Sequence, residues 1–349
     1  MPTPVSDFDY HLPAELIAQQ PPAVRDGARL FHLDRRSGRH DHGWVTDLPA
    51  LLEPGDLLVV NDTRVYPARL LGRRDPSGGT VECLLLSRAG GEHWDVLLHP
   101  GQKLREGARV VFEGGGYCLR LDVLACHYHG RRTVRLTADG GRDVDGAIDA
   151  IGHVPLPPYI KRPDAPADRG RYQTVYARAR GSVAAPTAGL HFTPGLLQAL
   201  DARGVERAAI TLHVGYGTFQ PIRGEHVEQH RLAAEPFEIT EETARAVNRA
   251  LEDGRRVVAV GTTTTRVLES AVAGGKPMEA GSGSTGLYIA PGFEFRVVGA
   301  LLTNFHLPRS SLLVLASTFA GRERVLAAYA EAVARRYRFY SYGDAMLIT

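Results

Sequence analysis

The sequence predicts a mixed α/β core domain with an inserted, small all-β barrel domain. Three observations lead there. Between Ala68 and Thr137, about six short strand candidates follow one another at hairpin spacing, separated by Gly/Ser or polar turns and by no helix. On both sides of that stretch, strand-like runs alternate with helix-like ones. The 349 residues exceed one ordinary domain, and a core with a large insertion accounts for the length. We place residues 1–67 and 149–349 in the core and 68–148 in the barrel.

In chain order, Leu12-Pro13-Ala14-Glu15-Leu16-Ile17 reads as a short helix with proline in its first turn. Arg29–Leu33 reads as a strand. Pro54-Gly55-Asp56 turns the chain into Leu57–Val60, four apolar residues that suit a buried strand running straight into Asn61-Asp62-Thr63-Arg64. The barrel candidates are Ala68–Leu71, Val81–Leu86, Trp94–Leu98, Arg109–Phe112, Cys118–Leu124 and Thr133–Leu136. Gly152–Arg162, with prolines at 155, 157 and 158, reads as a stiff extended arm. Thr193 caps a helix that Pro194 opens and Gly204 closes. Ala209–Val214 is the next strand, Thr240 precedes a helix to about Leu251, and Val257–Val260 is a β-branched strand. It meets Gly261-Thr262-Thr263-Thr264-Thr265-Arg266, read as a turn before a helix from Val267. Val297–Leu302 is a further strand. Val325, Tyr329 and Val333 form the apolar stripe of a helix from Arg322 to about Arg336.

Composition narrows the class. Hydrophobic residues at 44% and charged residues at 23% match ordinary folded proteins. No apolar run is long enough for a membrane span and the N-terminus lacks signal-peptide features, so a cytoplasmic location is expected. Cys83, Cys118 and Cys126 lack a Cys-x-x-Cys pairing and read as reduced, structural thiols. The formal charge of +2, from 41 Lys and Arg against 39 Asp and Glu, gives no global field for nucleic acid. Arginines nevertheless cluster locally, and such clusters can meet phosphates or simply be solvated.

Four segments could carry chemistry, because each follows or joins a rigid element. Asn61–Arg64 ends a buried strand, where an Asx turn is the plainer reading. Ala184–Phe192 is rich in small residues and ends in His191, an acid–base candidate or a structural histidine. Gly261–Arg266 offers backbone N–H groups at a helix start for an anion. Thr303–Ser310 brings Asn304, His306 and Arg309, groups able to orient a polar ligand. His213, between glycines and aromatics in Leu212–Phe219, suits the edge of a flat ring. The chain lacks Cys/His zinc spacing, a P-loop, a Gly-x-Gly-x-x-Gly following a first strand and a Gly-x-Ser-x-Gly elbow. Positioning and acid–base catalysis, with no metal and no covalent intermediate, is the expectation.

Together these segments resemble the S-adenosylmethionine:tRNA ribosyltransferase-isomerases of queuosine synthesis. The resemblance rests on Asp7–Tyr10, Asn61–Val65, Pro67–Leu70, Gly152–Arg162, Arg171–Ala177, Ala184–Phe192, Thr211–Gly215, Gly217-Thr218-Phe219, Asn304–Pro308 and Tyr337–Met346, spanning nearly the whole chain. It implies an α/β domain with an inserted barrel. It also implies S-adenosylmethionine as a ribosyl donor and co-substrate, and tRNA bearing 7-aminomethyl-7-deazaguanine at the wobble position as acceptor. The products implied are epoxyqueuosine-tRNA, adenine and methionine, made by a monomer with no obligate protein partner and no membrane. On this resemblance His191 and His306 are the candidates for the C5′ base and for assistance to adenine release, with Asp62 and Arg64 orienting the donor. Asn61, Thr187, Gly189, His213, Gly261, Thr262, Thr263, Arg266, Asn304 and Arg309 are the candidate donor-binding residues. Tyr159, Lys161, Arg162, Arg171, Tyr172 and Arg178 are the candidates for tRNA.

The chain departs from the family pattern in places. Ser284-Thr285-Gly286 replaces the usual Trp-Thr-Asp, Arg231–Glu235 replaces Lys-Met-His-Ser-Glu, Thr264-Thr265 stands for Ser-Val, and Tyr216 is larger than usual. These departures leave open a divergent paralog that passes the ribosyl part of S-adenosylmethionine to a small molecule, or cleaves it. A non-catalytic RNA-binding module is the third reading.

Overall fold

The computed structural model describes residues 2–216, 222 and 224–349; Gly217-Thr218-Phe219, part of the resemblance, lies outside the described residues. The chain begins with β1 (Arg29–Leu33), β2 (His40–Trp44), a single turn α1 (Leu48–Leu51), β3 (Leu57–Asn61) and β4 (Thr63–Val65). All five residues of β3 are buried, which is why its sequence is an unbroken apolar run up to Asn61.

The barrel consists of β5 (Arg69–Asp75), β6 (Thr80–Gly90), β7 (His93–His99), β8 (Arg109–Gly114), β9 (Tyr117–Cys126) and β10 (Arg131–Ala138). These close in the order β10-β7-β6-β5-β8-β9. Alternate residues such as Leu70, Val96, Phe112 and Leu121 fill the interior, as the two-residue period of a strand requires. A helix α2 (Val144–Ile151) starts at Asp143, whose carboxylate accepts from the backbone of Asp145 and Gly146. Its Ala147, Ile148 and Ile151 pack into the barrel core, so the helix runs across residue 148 and the chain turns back at Gly152.

The strands entering and leaving the barrel lie side by side. Arg69 and His153 exchange backbone hydrogen bonds of 3.2 and 2.8 Å. Gly152 presses against the incoming chain so closely that a methyl group there would lie 2.0 Å from the Pro67 carbonyl oxygen.

The remainder supplies α3 (Asp168–Arg171), β11 (Ala179–Ser182), α4 (Pro194–Ala202), β12 (Glu206–Leu212), β13 (Glu235–Ile239), α5 (Glu241–Glu252), β14 (Val257–Val260) and α6 (Thr262–Ala271). It ends with β15 (Gly281–Thr285), β16 (Val298–Asn304), α7 (Ser311–Ala320), α8 (Arg322–Ala334) and β17 (Ala345–Ile348). Among the described residues, nine strands form one sheet in the order β15-β13-β12-β3-β14-β16-β17-β1-β2. The inner four, β12, β3, β14 and β16, run parallel. One face packs Val60, Val258 and Leu302 against α1 and α4 through Leu48, Leu197 and Leu200. The other packs Val59, Ala259 and Leu301 against α5 to α8 through Val247, Val267, Leu315 and Val325. Both faces are therefore covered, as a parallel sheet needs.

Some expectations change. Leu12–Ile17 forms only a 3-10 turn at Ala14–Leu16, because Ile17 and Ala18 are drawn into pairing with Phe339. The threonines at 262–265 belong to α6 and do not precede it; Thr264 and Thr265 return their hydroxyls to the Val260 and Gly261 carbonyls. No expectation covers β2 or β15, which are exposed edge strands of polar and glycine residues with no apolar alternation to reveal them.

The crossing at Gly152 yields a stability prediction. Gly152→Val forces the strands entering and leaving the barrel apart, and we expect a loss of about 1–3 kcal/mol, the range for overpacking. Urea unfolding of the variant beside the unaltered protein measures it, and an unchanged midpoint would refute the tight crossing.

Candidate active site at the strand ends

Because β12, β3, β14 and β16 are adjacent and parallel, their carboxyl ends emerge together at one edge of the sheet. The chain leaves β3 to reach β12 on one side and later returns to its other side at β14. The winding direction thus switches at β3, where open α/β sheets place ligands. His213, Asp62, Gly261 and Asn304 each stand at or just past one of these four ends.

Asn61 holds the first two strands together. Its amide donates to the Leu212 carbonyl and accepts from the Leu212 N–H, both at 3.0 Å, and it also accepts from the Thr63 N–H at 3.1 Å. The side chain acts as one more backbone unit, so Asn61 is a girder whose oxygen is fully used and whose amide nitrogen gives one hydrogen to the Leu212 carbonyl. Asp62, 4% exposed, accepts from the Thr211 hydroxyl at 2.5 Å and pairs with Arg178 at 2.9 Å. The Thr63 hydroxyl meets His213 Nδ1 at 2.8 Å. Burial holds His213 below the usual imidazole pKa, although the nearby Asp62 carboxylate pulls the other way. Arg64 is exposed beside Arg180 on the neighbouring β11.

The 3-10 turn Thr187–His191 lies across the ends of β14 and β16. A methyl at Gly261 would touch Ala188, and Asn304 Nδ2 lies 3.2 Å from His191 Nε2. Burial depresses the His191 pKa to about 4, against a weaker upward pull from Asp344. His306 is depressed to about 3 by burial and meets the Thr303 hydroxyl at 2.9 Å. Asn304 follows the Ala300–Leu302 face of β16, whereas Thr303 follows Leu301. The two imidazoles are therefore anchored to opposite faces, and no hydrogen bond joins them among the described residues.

Gly189 has a different reason from the expected room for a ligand: the Tyr176 hydroxyl occupies that room, 2.2 Å from where a methyl would stand. Tyr176 and Thr174 were absent from the sequence candidates. Their hydroxyls and the Asn304 carbonyl oxygen are buried without partners among the described residues. Three orphaned polar atoms around one turn leave hydrogen-bonding capacity for a polar guest or for water. The sequence signal available was the Tyr172, Thr174, Tyr176 alternation within the arginine-flanked stretch.

Other candidates prove structural. Arg266 is 2% exposed and gives its guanidinium to Glu235 and to the Leu287 and Thr285 carbonyls. Arg309 pairs with Asp9. Arg162 forms a two-pronged pair with Asp168, Arg171 donates to the Pro22 and Ala23 carbonyls, Tyr159 meets Ser341, and Tyr172 is fully buried. Arg266, Arg162 and Tyr172 are held by buried partners or by the core, whereas Arg309 keeps 57% of its side chain exposed beside Asp9. Lys161 and Arg178 stay exposed. Thr187 is half-buried on the turn, and Thr262 and Thr263 open α6, whose first N–H groups have no intrahelical partners.

A cleft of about 510 Å³ separates barrel from core, lined by Arg69, Glu82, Lys161, Val183, Ala184 and Tyr216 among others. It reaches the strand ends through the 182–184 and 214–216 segments, where Val183 N–H bonds the Val214 carbonyl. A groove of about 760 Å³ lies on the barrel at Arg73, Arg74 and Lys103, away from every strand-end residue. Of these two only the smaller cleft nears the strand ends, and His191 itself lines a separate narrow pocket with Arg25, Arg171, Leu190 and Tyr342.

The family described as "Queuosine biosynthesis protein" matches residues 5–348. A protein of Anaeromyxobacter sp. (strain Fw109-5) named S-adenosylmethionine:tRNA ribosyltransferase-isomerase is 54% identical, over 99% of this chain and 98% of its own. One of the same name from Heliobacterium modesticaldum is 50% identical, over 99% of each. The crystal structure of an S-adenosylmethionine tRNA ribosyltransferase from Thermotoga maritima is 38% identical, covers 99% of this chain and 100% of its own, and superposes with a TM-score of 0.56.

The buried histidines fix a pH dependence. Between about pH 6.5, where a free histidine titrates, and the lowered values near 4 and 3, the unfolded chain binds more protons than the folded one. Stability then falls as pH drops through that window, by up to roughly 1.4 kcal/mol per pH unit for each ring. Histidine ring NMR signals of His191 and His306 should stay unprotonated down to pH 5. Titration of either near 6.5 would contradict the burial.

Proposed function

Because this chain belongs to the queuosine biosynthesis protein family, we propose that it is an S-adenosylmethionine:tRNA ribosyltransferase-isomerase acting in the cytoplasm. It moves the ribosyl part of S-adenosylmethionine to 7-aminomethyl-7-deazaguanine at the tRNA wobble position. Epoxyqueuosine-tRNA, adenine and methionine result. The observation that carries the site assignment is the convergence of the resemblance-bearing segments on the ends of four adjacent parallel strands.

The sulfonium acidifies the adjacent C5′ hydrogens, so the reaction needs a neutral base there. His191 is that base: burial keeps it unprotonated at neutral pH, and the Asn304 amide N–H that donates to Nε2 has to give way when that nitrogen takes the C5′ proton. His306, held on the other face of β16, positions the loop that follows and does not share the proton work. Asp62 and His213 face the ribose, and the N-terminal N–H groups of α6 face the donor's carboxylate. The Tyr176 hydroxyl, kept protonated by burial with Asp62 adding to the effect, is a donor to the ribosyl part. Lys161, Arg64 and Arg178, the last paired with Asp62 but largely exposed, are the cations offered to tRNA phosphates.

One observation favours the small-molecule acceptor as a second reading. The two main departures from the family pattern meet in space: a side chain at Gly286 would lie 3.2 Å from the Leu232 carbonyl oxygen and 3.9 Å from Ala234 Cα. An imidazole and a carboxylate are thus missing from one place, as happens when an acceptor contact is given up.

Incubation with S-adenosylmethionine and tRNA bearing the aminomethyl base separates the readings. Adenine and methionine should appear in proportion to modified tRNA; release driven only by small amines would establish the second reading, and no release with any acceptor would end both. In the tRNA reaction His191→Gln should lower kcat by about 10²–10⁴-fold, while His306→Gln acts chiefly on stability. The reverse pattern would transfer the base to His306. Tyr176→Phe removes a hydroxyl that has no partner in the free protein, so unfolding midpoints should hold or rise while kcat/KM falls about tenfold or more. Equal turnover in that variant would remove Tyr176 from the site.

A further inference from the structure

Three strands beyond β16, roughly 14 Å at ordinary strand spacing, the outer edge of the sheet carries a group of residues that the proposed reaction does not use. Among the described residues β2 pairs only with β1, and its His40 and His42, two residues apart, project from one face. Glu331 of α8 meets both: His40 Nε2 lies 2.7 Å from one carboxylate oxygen and His42 Nε2 lies 3.0 Å from the other. The three ligand-capable atoms all fall within 4.8 Å of one another. The buried Phe31 ring braces both imidazoles, stacked on His40 at 5.1 Å and edge-on to His42 at 4.9 Å.

We propose that His40, His42 and Glu331 form a binding site for a divalent transition-metal ion of the zinc class, fastening the edge strand β2 to α8. Two imidazole nitrogens and one carboxylate, with water completing the shell, suit zinc and not magnesium, which prefers oxygen donors. The present spacings need only modest change, since donors bound to one tetrahedral ion at about 2.0–2.1 Å stand roughly 3.4 Å apart.

A second contact supports the assignment. His42 Nδ1 lies 2.8 Å from the hydroxyl of buried Tyr337, which lies 3.4 Å from the Leu30 carbonyl oxygen. When Tyr337 donates to Leu30 it accepts the Nδ1–H of His42, leaving the Nε2 lone pair directed at the site. That is the outer partner a metal-bound imidazole ordinarily has. Without an ion, His42 meets Glu331 through an Nε2–H, so binding shifts the proton from Nε2 to Nδ1 and requires no other group to take it. The opposing charge is Arg335, whose Nε donates to Glu331 at 2.8 Å; its side chain is 57% exposed and free to turn away.

Chelator-treated protein titrated calorimetrically with Zn²⁺ at pH 7.5 tests the site. We expect one binding event that weakens at least tenfold in His40→Gln and in Glu331→Gln, and tightens several-fold in Arg335→Gln, which frees the carboxylate. Thermal unfolding should rise with Zn²⁺ in the unaltered protein and not in His40→Gln, whose side chain is exposed enough for the fold to persist. The Arg335 variant distinguishes an ion site from simple histidine–carboxylate hydrogen bonds, which have no reason to gain zinc affinity. Equal Zn²⁺ binding and equal thermal shifts in all four proteins, or no saturable binding in any, would overturn the proposal.

Discussion

The side chain of Asn61 is the constraint on which the arrangement at the strand ends depends. The parallel pairing of β3 with β12 ends at Asn61 opposite Ile210, and beyond it the Asn61 amide takes over both hydrogen bonds to Leu212. A backbone continuing the ladder would have kept the strands closed. An amide side chain holds the spacing while the main chain turns aside, which lets Asp62 reach Thr211 and Thr63 reach His213. At 1% exposure, an unmade bond at this amide would cost about 1–3 kcal/mol, so the geometry is strongly held.

Burial does the remaining electrostatic work. His191 and His306 sit where charge is costly, and each has hydrogen-bond partners that accept a neutral ring. The Arg266–Glu235 pair is equally buried, yet it stays paired because carbonyls of Leu287 and Thr285 take the other guanidinium hydrogens. Neutral imidazoles face the proposed chemistry beside one carboxylate, Asp62, while the Arg266–Glu235 pair is tied down behind them. Such an arrangement keeps a lone-pair donor ready without a field that would protonate it.

The barrel and the order of the elements were legible because they rest on local patterns. Hairpin turns such as Pro76–Gly79 and period-two apolar residues need no knowledge of distant partners. The resemblance extended that reading to the segments at the strand ends. What sequence could not supply was the partner of each charge: Arg162 looks free until Asp168 closes on it, and Arg266 until Glu235, 31 positions away, meets it. Threonine's weak helix preference made 262–265 look like a turn, whereas burial against the sheet decides for the helix. His40 and His42 carry no zinc-finger spacing, because a strand places two ligands of one face two residues apart, and their partner Glu331 is distant in sequence.

The insertion point of the barrel connects these parts. The barrel leaves the core after β4 and the chain returns to form β11, and these two short strands pair with each other in parallel. The Asp62 carbonyl accepts the N–H groups of Arg178 and Ala179 at the start of β11, so Asp62 is held by chain on both sides of the insertion. The incoming chain at Pro67 and the returning chain at Gly152 lie against each other, and the returning chain later closes on the Asp62 backbone carbonyl. A large ligand across the 510 Å³ cleft would touch barrel and core at once, and the crossing at Gly152 packs the two connections too closely for either to shift alone. An insertion elsewhere, in a loop at the opposite edge of the strands, would have moved freely and told the site nothing.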